Sequence, residues 1–229
     1  MNMKRSLNII LVLAGLLSSG IASRADTLSF GLDTAYTGTP PEGSAPWITA
    51  TIEDLVPGSV RLTLDNQNLS EQEYVSKWLF NLNPDLAASD LDFGNPVQTG
   101  SFALPAVQTA ASKTKAGGNV QFSLALDFAT AQAKRFGAGE KLVYEITGIP
   151  GLTAADFAFT AQNGSYGPFG AAAHVQSIDP ANFQNAISDF DTQSGWIASD
   201  LTVTPEPAAW MILPSFLGLA FLARKRRHN

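Results

Sequence analysis

The feature that most restricts the fold is a series of short segments in which apolar and polar residues alternate. In Val60–Asp65 apolar residues occupy every second position, and Thr27–Leu32 and residues 47–53 follow the same period. A period of two places alternate side chains on opposite faces of a β-strand, whereas an amphipathic helix repeats every three or four residues. The turn sequence Val56-Pro57-Gly58-Ser59 separates residues 47–53 from Val60–Asp65, which predicts a β-hairpin.

The same pattern predicts further strands at residues 101–104, 120–128, Lys141–Thr147, 156–161, 172–178 and 197–203. Residues 70–82 have two interpretations. Ser70-x-x-Glu73 resembles a helix capping box, whereas the aromatic and β-branched residues from Tyr74 favour a strand, which we prefer. About ten short strands with Gly, Pro and Asn turns between them predict an all-β fold, an antiparallel β-sandwich that is jelly-roll-like.

Two segments have helical features. Residues 106–116 are small and polar, and residues 179–188 begin with Asp179 as an N-cap and Pro180 at the first helical position. Residues 37–46 contain three Pro and two Gly, which predicts a loop. The sequence has no repeat of fixed period and no interior linker, so we predict one domain, residues 26–201, between two terminal segments.

The N-terminus has the three parts of a secretory signal peptide. A positive start is followed by the mostly apolar residues 7–17 and by small residues up to Ala25. An apolar core of about 7–15 residues ahead of a small-x-small site is typical of such peptides. We therefore predict that residues 1–25 are the signal peptide and that cleavage follows Ala25, with cleavage after Ala22 as the second choice. An uncleaved membrane helix is disfavoured, because spanning a bilayer needs about 20 apolar residues.

The C-terminus combines three elements in a fixed order. The tripeptide Pro205, Glu206 and Pro207 precedes an apolar run at residues 208–223, and the chain then carries the basic cluster Arg224, Lys225, Arg226 and Arg227. As a helix the apolar run would span roughly 24 Å at about 1.5 Å per residue, against a hydrocarbon core of about 30 Å. This marginal length predicts a transmembrane helix that serves as a transient anchor. The basic cluster predicts that residues 224–229 stay in the cytoplasm.

Residues 202–229 resemble the PEP-CTERM sorting domain of exported proteins of Gram-negative bacteria, with Pro214 as a departure from the usual apolar run. The resemblance places the recognition motif on Pro205, Glu206 and Pro207. It implies recognition by an exosortase, a membrane-embedded transpeptidase-like enzyme, at an inner-membrane intermediate. It also implies that the tail is removed or exchanged and that the body reaches the cell surface or extracellular matrix. With the signal peptide, the expected processing partners are signal peptidase and the exosortase.

The segment between the two ends is acidic and lacks cysteine. Residues 26–207 carry all 20 acidic residues of the chain, whereas the basic residues in this range are Arg61, Lys77, Lys113, Lys115, Lys134, Arg135 and Lys141. Nucleic acid and anionic membrane surfaces are bound by clustered Lys and Arg, so the composition argues against such partners. The lack of Cys excludes disulfides, thiol catalysis and zinc sites of the usual Cys type.

Five side chains are candidates for a ligand face: Trp47, Tyr166, Phe169, His174 and Trp196. The Gly-rich loop 163–170 carries two of the rings, and exposed rings there could form a saccharide platform with the tryptophans. His174 is the one His between the two terminal segments and could act as a general base or a single metal ligand. The competing interpretation, which we prefer, is that Gly and Pro form turns while the aromatic residues and His174 are structural.

Carboxylate pairs supply the remaining candidates. Asp189 and Asp191 could serve a polysaccharide hydrolase, and Asp90 and Asp92 with Asn95 could offer oxygen ligands to Ca²⁺. No EF-hand or Gly-rich nonapeptide spacing supports a calcium site, so we prefer solvated acidic turns and expect neither a metal nor a cofactor. The leading expectation is a non-enzymatic surface or matrix protein associated with exopolysaccharide. The alternatives are a secreted polysaccharide hydrolase and a calcium-dependent adhesion module.

Overall fold

The described chain is built from short β-strands. A computed structural model describes residues 26–110, 113–161, 164–179, 193–200 and 202–203. Numbered in chain order, the strands in these ranges are β1 (Thr27–Leu32), β2 (Thr34–Gly38), β3 (Ile48–Asp54), β4 (Val60–Asp65), β5 (Tyr74–Phe80), β6 (Asp92–Thr99), β7 (Ala106–Gln108), β8 (Leu124–Asp127), β9 (Phe136–Gly137), β10 (Lys141–Thr147), β11 (Ala171–Gln176), β12 (Ser194–Ser199) and β13 (Thr202–Val203). Short 3₁₀ helices lie between strands, at Ala88–Asp90, Gly117–Asn119, Gln132–Lys134 and Ala154–Phe157. None of the helices in these ranges has the length and apolar character needed to cross a membrane.

The strands form two sheets. Sheet A has the strand order β13-β1-β3-β4-β10-β6. Sheet B has the order β2-β12-β11-β5-β8-β7, and β9 pairs with the start of β5. Every pairing between these strands is antiparallel. The prediction of an all-β, antiparallel fold is therefore confirmed.

The main core lies between the two sheets. Leu28, Phe30 and Leu32 alternate along β1 and are each at most 3% exposed. Phe30 of sheet A meets Phe80 of sheet B edge-on, with 5.7 Å between the ring centroids. Because successive residues of a strand point to opposite faces, the alternation in the sequence places one face of each strand in this core. The two sheets thus pack as a β-sandwich.

A second apolar cluster covers part of the outer face of sheet B. A row of three alanines and one leucine crosses four strands of that face, in the order Ala198, Ala172, Leu79 and Ala125, and every member of the row is fully buried. Chain segments on either side of the row cover it with Val120, Phe122, Ala161 and Phe169. The alanines of the row leave space that the larger side chains Val120, Phe122 and Phe169 fill. Sheet B is therefore buried on both faces where the cluster lies.

Several predicted strands match the observed ones. The bounds predicted for Thr27–Leu32, Val60–Asp65 and Lys141–Thr147 are those of β1, β4 and β10, and Tyr74 begins β5 as the strand interpretation required. Residues 47–53 correspond to β3, 172–178 to β11, and 197–203 to β12 and β13. Of residues 120–128, only Leu124–Asp127 forms a strand.

The helix predicted at residues 106–116 is wrong where the structure describes it. Ala106–Gln108 is strand β7, in which Ala106 pairs with Asp127 of β8. Farther along, Lys115 forms an isolated bridge with Gln121. The weak helix propensity of a few alanines is outweighed by pairing with a neighbouring strand.

The strand predicted at residues 156–161 is also wrong. The chain instead forms the 3₁₀ helix Ala154–Phe157, which a capping box begins. The Asp156 carboxylate accepts hydrogen bonds from both the backbone N–H and the hydroxyl of Thr153, each at 2.9 Å. Asp54 in turn accepts a hydrogen bond from the backbone N–H of Ala154. These side-chain bonds satisfy the free N–H groups of the helix start and so stabilise the turn over a strand.

The sequence pattern missed strand β6 and misplaced a strand at residues 101–104, which form no strand. β6 carries Gly94 and Pro96, and Asn95 has a φ of 50° where the pairing with β10 shifts register. Gly and Pro indicate a turn in most sequences. Here they are tolerated because β6 is an edge strand, where a bulge and a residue without N–H disrupt only one row of hydrogen bonds.

Some predictions fall outside the described residues. These are the signal peptide at 1–25, the sorting tail from Thr204 onward, and the helix at 179–188 except for Asp179. Thr37 and Gly38 of the predicted loop at residues 37–46 close strand β2. The rest of that loop forms no strand, as expected.

Candidate functional site

Two of the five candidate ligand residues are buried in the cores. Trp47 is 8% exposed and belongs to the main core between the sheets. Phe169 is 7% exposed and packs in the second cluster, with 4.7 Å between its ring centroid and that of Tyr36. Tyr36 is buried in the same cluster, and this burial raises the pKa of its phenol. Neither Trp47 nor Phe169 can therefore present a ring face to a ligand.

Tyr166 is the exposed aromatic residue of the Gly-rich loop. Its side chain is 44% exposed, and its ring lies 5.5 Å from the Tyr36 ring. Gly118 has a φ of 67°, and a Cβ there would collide with the Tyr166 ring. The loop and the Gly117–Asn119 turn thus approach each other closely, and glycine is required at that contact. Tyr166 caps the second cluster and leaves one side of its ring to solvent.

His174 and Trp196 form a stacked pair on the outer face of sheet B. They are directly opposite each other in β11 and β12, and their rings are 4.6 Å apart and tilted by 20°. A Cβ on Gly117 would lie 2.7 Å from Cδ1 of Trp196, so the turn at Gly117 covers one edge of the indole. The structure therefore brings together two of the five candidates, and both are partly exposed.

Both ring nitrogens of His174 are bonded to hydroxyl groups. Nδ1 lies 3.0 Å from Oγ of Ser76, and Nε2 lies 3.0 Å from Oγ of Ser194. A hydroxyl can donate or accept, so either tautomer of the imidazole is satisfied here. The preferred structural interpretation of His174 is consistent with this geometry. We refer to Ser76, His174, Gln176 and Ser194 as the His174 network.

A β-bulge places Ser76 in this network. His174 is opposite Lys77, but Val175 is opposite Val75, so Ser76 is the extra residue of β5. As a result Val75 and Trp78 both enter the main core although two residues separate them. Strict alternation, as the sequence pattern implied, would have placed Ser76 on the core face with Trp78. Bulges of this kind redirect side chains and occur often beside functional sites.

Tyr74 links the His174 network to a cleft at the end of sheet B where β5 begins and β11 ends. Its hydroxyl donates a short hydrogen bond to Oε1 of Gln176. The guanidinium carbon of Arg135 lies 4.1 Å from the centre of the Tyr74 ring, which is a cation–π contact. Arg135 also donates from Nε to the carbonyl of Thr130 at 2.9 Å. The guanidinium group is thus held over the ring by two contacts.

The cleft has a volume of about 870 Å³ and is open to solvent. We call it the Arg135 cleft and define it by six of its polar lining residues, Glu71, Gln72, Tyr74, Gln132, Arg135 and Glu140. The cleft brings together the turn before β5, the Gln132–Lys134 turn and the β9–β10 connection. Ser177 lies in its wall with a φ of 59°, a backbone conformation that is unusual for a residue other than glycine. Strained backbone of this type is often found at functional sites.

Backbone N–H groups hold two carboxylates of the cleft. Glu140 accepts from the N–H of Ser101 at 2.7 Å and from that of Gly137 at 2.8 Å. Glu73 accepts from the N–H of Glu42 at 2.8 Å and from that of Ser70 at 2.9 Å, and it is 1% exposed. Burial raises the pKa of the Glu73 carboxyl above its ordinary value, and the two N–H bonds act in the opposite direction. Both carboxylates therefore shape the loops that form the cleft.

Asn66 fixes the other wall of the cleft. It is fully buried, and its side-chain amide donates to the carbonyls of Phe136 at 3.2 Å and Gly137 at 3.3 Å. Its backbone N–H donates to the carbonyl of Glu140 at 3.1 Å. The end of β4 is thereby tied to the segment that carries Gly137 and Glu140. The cleft is held by the two sheets and does not depend on one loop alone.

The sequence contained one signal for this cleft. Ser70-x-x-Glu73 resembles a capping box, and the Glu73 side chain does bond the N–H of Ser70 as a capping box would. The result is a tight turn ahead of strand β5, because the next residues pair with β9 and β11. Arg135, Gln132 and Glu140 carried no sequence signal, since the fold brings them to the turn from a distance of about 60 residues along the chain.

The carboxylate pair Asp90 and Asp92 does not line this cleft. Asp90 and Asp92 are exposed at the start of β6, and the amide of Asn95 donates to Oε2 of Glu145 at 3.0 Å. No group of three or more potential metal-ligating side chains is found within the ranges that the structure describes. Asp189 and Asp191 lie outside those ranges.

The chain was compared with protein families, curated proteins and solved structures. The chain matches no protein-family model, and neither a curated protein nor a solved structure is found to be similar to it.

Proposed function

We propose that this chain is an exported, non-enzymatic protein of the cell surface or extracellular matrix, sorted by an exosortase and associated with exopolysaccharide or matrix proteins. The observation that carries the proposal is the sequence of the C-terminal tail, in which Pro205-Glu206-Pro207, an apolar run and a basic cluster follow one another. The signal peptide at residues 1–25 supports the same destination, because it directs the body out of the cytoplasm. The acidic character of the body is compatible with a soluble extracellular domain.

The positions of the first and last described strands support this arrangement. Strand β1 starts at Thr27, and β13 ends at Val203 beside it, where Leu28 pairs with Val203. The two strands are antiparallel, so both proposed membrane-directed segments leave the sandwich from the same end of sheet A. A body attached in this way points its opposite end away from the membrane and leaves the outer faces of both sheets at its sides. That geometry suits a domain whose task is contact with the surrounding matrix.

Replacing Pro205, Glu206 and Pro207 together with alanine is expected to block sorting. The exosortase would lack its motif, so the chain should accumulate uncleaved in the inner membrane fraction of the producing bacterium. The measurement is fractionation followed by intact mass determination, which separates the tailed form from the processed form. Alanine at Thr204 alone is the control, since it lies next to the motif and should leave sorting unchanged. Normal export of the triple variant at the processed mass contradicts the proposal.

Signal-peptide cleavage after Ala25 would change the charge of the backbone nitrogen of Asp26, the first described residue. The backbone nitrogen of Asp26 donates to Oδ2 of Asp54 at 3.2 Å, and Oδ1 of Asp54 accepts from the N–H of Ala154 at 2.6 Å. Cleavage after Ala25 would convert that amide nitrogen into an α-ammonium. The bond already has a charged acceptor, and cleavage would give it a charged donor as well, so that it becomes an ion pair.

The processed protein is therefore expected to gain a pH-dependent contribution from Asp54. An α-amino group has an ordinary pKa of about 7.7–8.0, and a neighbouring carboxylate raises it in the folded state. The stabilisation is then fully present below about pH 7.7 and is lost as the pH rises through the raised value. Asp54→Asn should therefore destabilise the processed protein more at pH 6 than at pH 10, by less than about 1 kcal/mol because the pair is near the surface.

Urea denaturation at the two pH values measures this difference, and N-terminal sequencing identifies the cleavage site. The bond to Ala154 is affected equally at both pH values, so it cancels in the comparison. An equal effect of Asp54→Asn at pH 6 and pH 10, or a sequence that begins at Ser23, contradicts cleavage after Ala25.

A further inference from the structure

We propose that the Arg135 cleft is a binding site for a short segment of neutral polysaccharide. This rests on the proposed function, and it names the site and the ligand chemistry that the proposed contact with matrix would use. Its volume of about 870 Å³ lies in the range of pockets that hold small ligands, about 300–1,000 Å³. The sequence candidates for a saccharide platform lie elsewhere, so the cleft is a separate site.

The lining of the cleft suits a ligand with many hydroxyl groups. Gln72 and Gln132 offer amide groups that both donate and accept, and both residues are exposed. Arg135 offers a planar set of donors, and Glu71 offers an exposed acceptor. Neighbouring hydroxyls of a sugar ring donate and accept in the same way, so one ligand can satisfy donors and acceptors together. A peptide ligand would instead need apolar anchor pockets at the centre of its site.

The charges of the cleft favour a neutral ligand. Among the described residues, Glu71, Glu73 and Glu140 line it together with one cation, Arg135, so a phosphate, sulfate or uronate group would meet more repulsion than attraction. Glu73 and Glu140 each accept two backbone N–H bonds, which occupies them within the protein. A cation would therefore find mainly Glu71 as a partner and would be opposed by Arg135. A neutral saccharide avoids both conflicts.

Arg135 is held ready for such a ligand. Its guanidinium carbon lies 4.1 Å from the centre of the Tyr74 ring, and its Nε donates a hydrogen bond to the carbonyl of Thr130. Tyr74 is itself held by Gln176, which continues into the His174 network. Fixing the planar group before binding lowers the entropy that the ligand must offset. The cation–π contact thus gives Arg135 a positioning that a mobile surface arginine lacks.

The test is saccharide binding by the full-length chain, measured by isothermal titration calorimetry in micelles of a detergent that contains no sugar. The probes are maltohexaose, cellohexaose and laminarihexaose, with polygalacturonate as the anionic comparison. We expect at least one neutral oligosaccharide to bind more tightly than polygalacturonate. Arg135→Ala should weaken that binding about tenfold or more, since it removes hydrogen bonds from a charged donor. Arg135→Lys should weaken it by a smaller factor, because one point charge replaces the planar fork.

Two further variants separate binding from folding. Gln132→Ala changes an exposed residue of the cleft and should weaken binding while the melting temperature stays unchanged. Arg61→Ala removes an arginine paired with Glu53 on sheet A and should leave binding unchanged. Absence of binding by every neutral probe, tighter binding of polygalacturonate, or full affinity in Arg135→Ala and Gln132→Ala would each overturn the proposal. Binding is measured without export, so a chain that is sorted normally but binds no saccharide overturns this site alone, and the sorting result stands.

Discussion

Gly195→Ala is expected to destabilise the protein strongly, by about 3 kcal/mol, or to prevent folding. Gly195 lies in β12, where it pairs with Val175 on one side and Gly38 on the other. A Cβ there would stand 2.9 Å from the carbonyl carbon of Thr39 and still closer to the Thr39 oxygen. Those are backbone atoms, which cannot move aside as a flexible side chain can. Urea denaturation followed by far-UV circular dichroism measures the effect.

Gly31→Ala is the matched control. Gly31 is also a strand glycine, in β1, but a Cβ there would meet only Pro46, at an ordinary contact distance of 3.4 Å. Alanine should be neutral or slightly stabilising at this position, because glycine loses more backbone entropy on folding. Equal losses from the two substitutions would show that the close approach of β12 to Thr39 does not determine the result.

Trp78→Ala is expected to be the most damaging change in the main core, with a loss of about 3–5 kcal/mol. Trp78 is fully buried in β5 and stacks on Phe80 with 6.1 Å between ring centroids and an 8° tilt. Its removal leaves a cavity between two sheets whose backbones are fixed by hydrogen bonds, so the surroundings can close it only in part. Chemical denaturation of the variant and the parent protein gives the difference in free energy of unfolding.

Two variants check the cause of that loss. Trp78→Phe should be milder than Trp78→Ala, because it keeps most of the volume and removes a buried indole N–H that has no hydrogen-bond partner among the described residues. Trp196→Ala removes the same side chain from a partly exposed position on the outer face of sheet B, and it should cost about 1–2 kcal/mol. A loss at Trp196 as large as that at Trp78 would contradict the assignment of the main core.

The strands that sequence reasoning predicted correctly share one property. In β1, β4 and β10 the residue period of two continues without interruption, and each strand has one face in the main core. The apolar residues of the alternating pattern lie on the buried face, so the pattern predicts both the strand and which of its faces packs in the core. It fails in β5 at Ser76, because a bulge shifts the period by one residue without leaving a mark in composition.

The candidate site was predicted far less well. Trp47 and Phe169 were candidates for a ligand face, but they fill cores, in agreement with the preferred structural interpretation, because burial of a large ring stabilises the fold. His174 and Trp196 were the candidates that lie together, and only the pairing of β11 with β12 reveals it. The Arg135 cleft is formed by side chains that are unremarkable one by one. These residues lie far apart in the sequence, so their spacing along the chain does not reveal that they line one cleft.

The sequence by itself determined the class of fold and the processing signals that we propose, because alternation and terminal motifs are local properties of the chain. Which strands pair, where a bulge redirects Ser76, and how Tyr74 comes to support Arg135 were decided only by the tertiary structure. Those features arise from contacts between residues far apart in the chain, and many sequences with the same local pattern could form other contacts. The physical reason is that burial selects the faces of strands, whereas pairing and packing between distant strands select their neighbours.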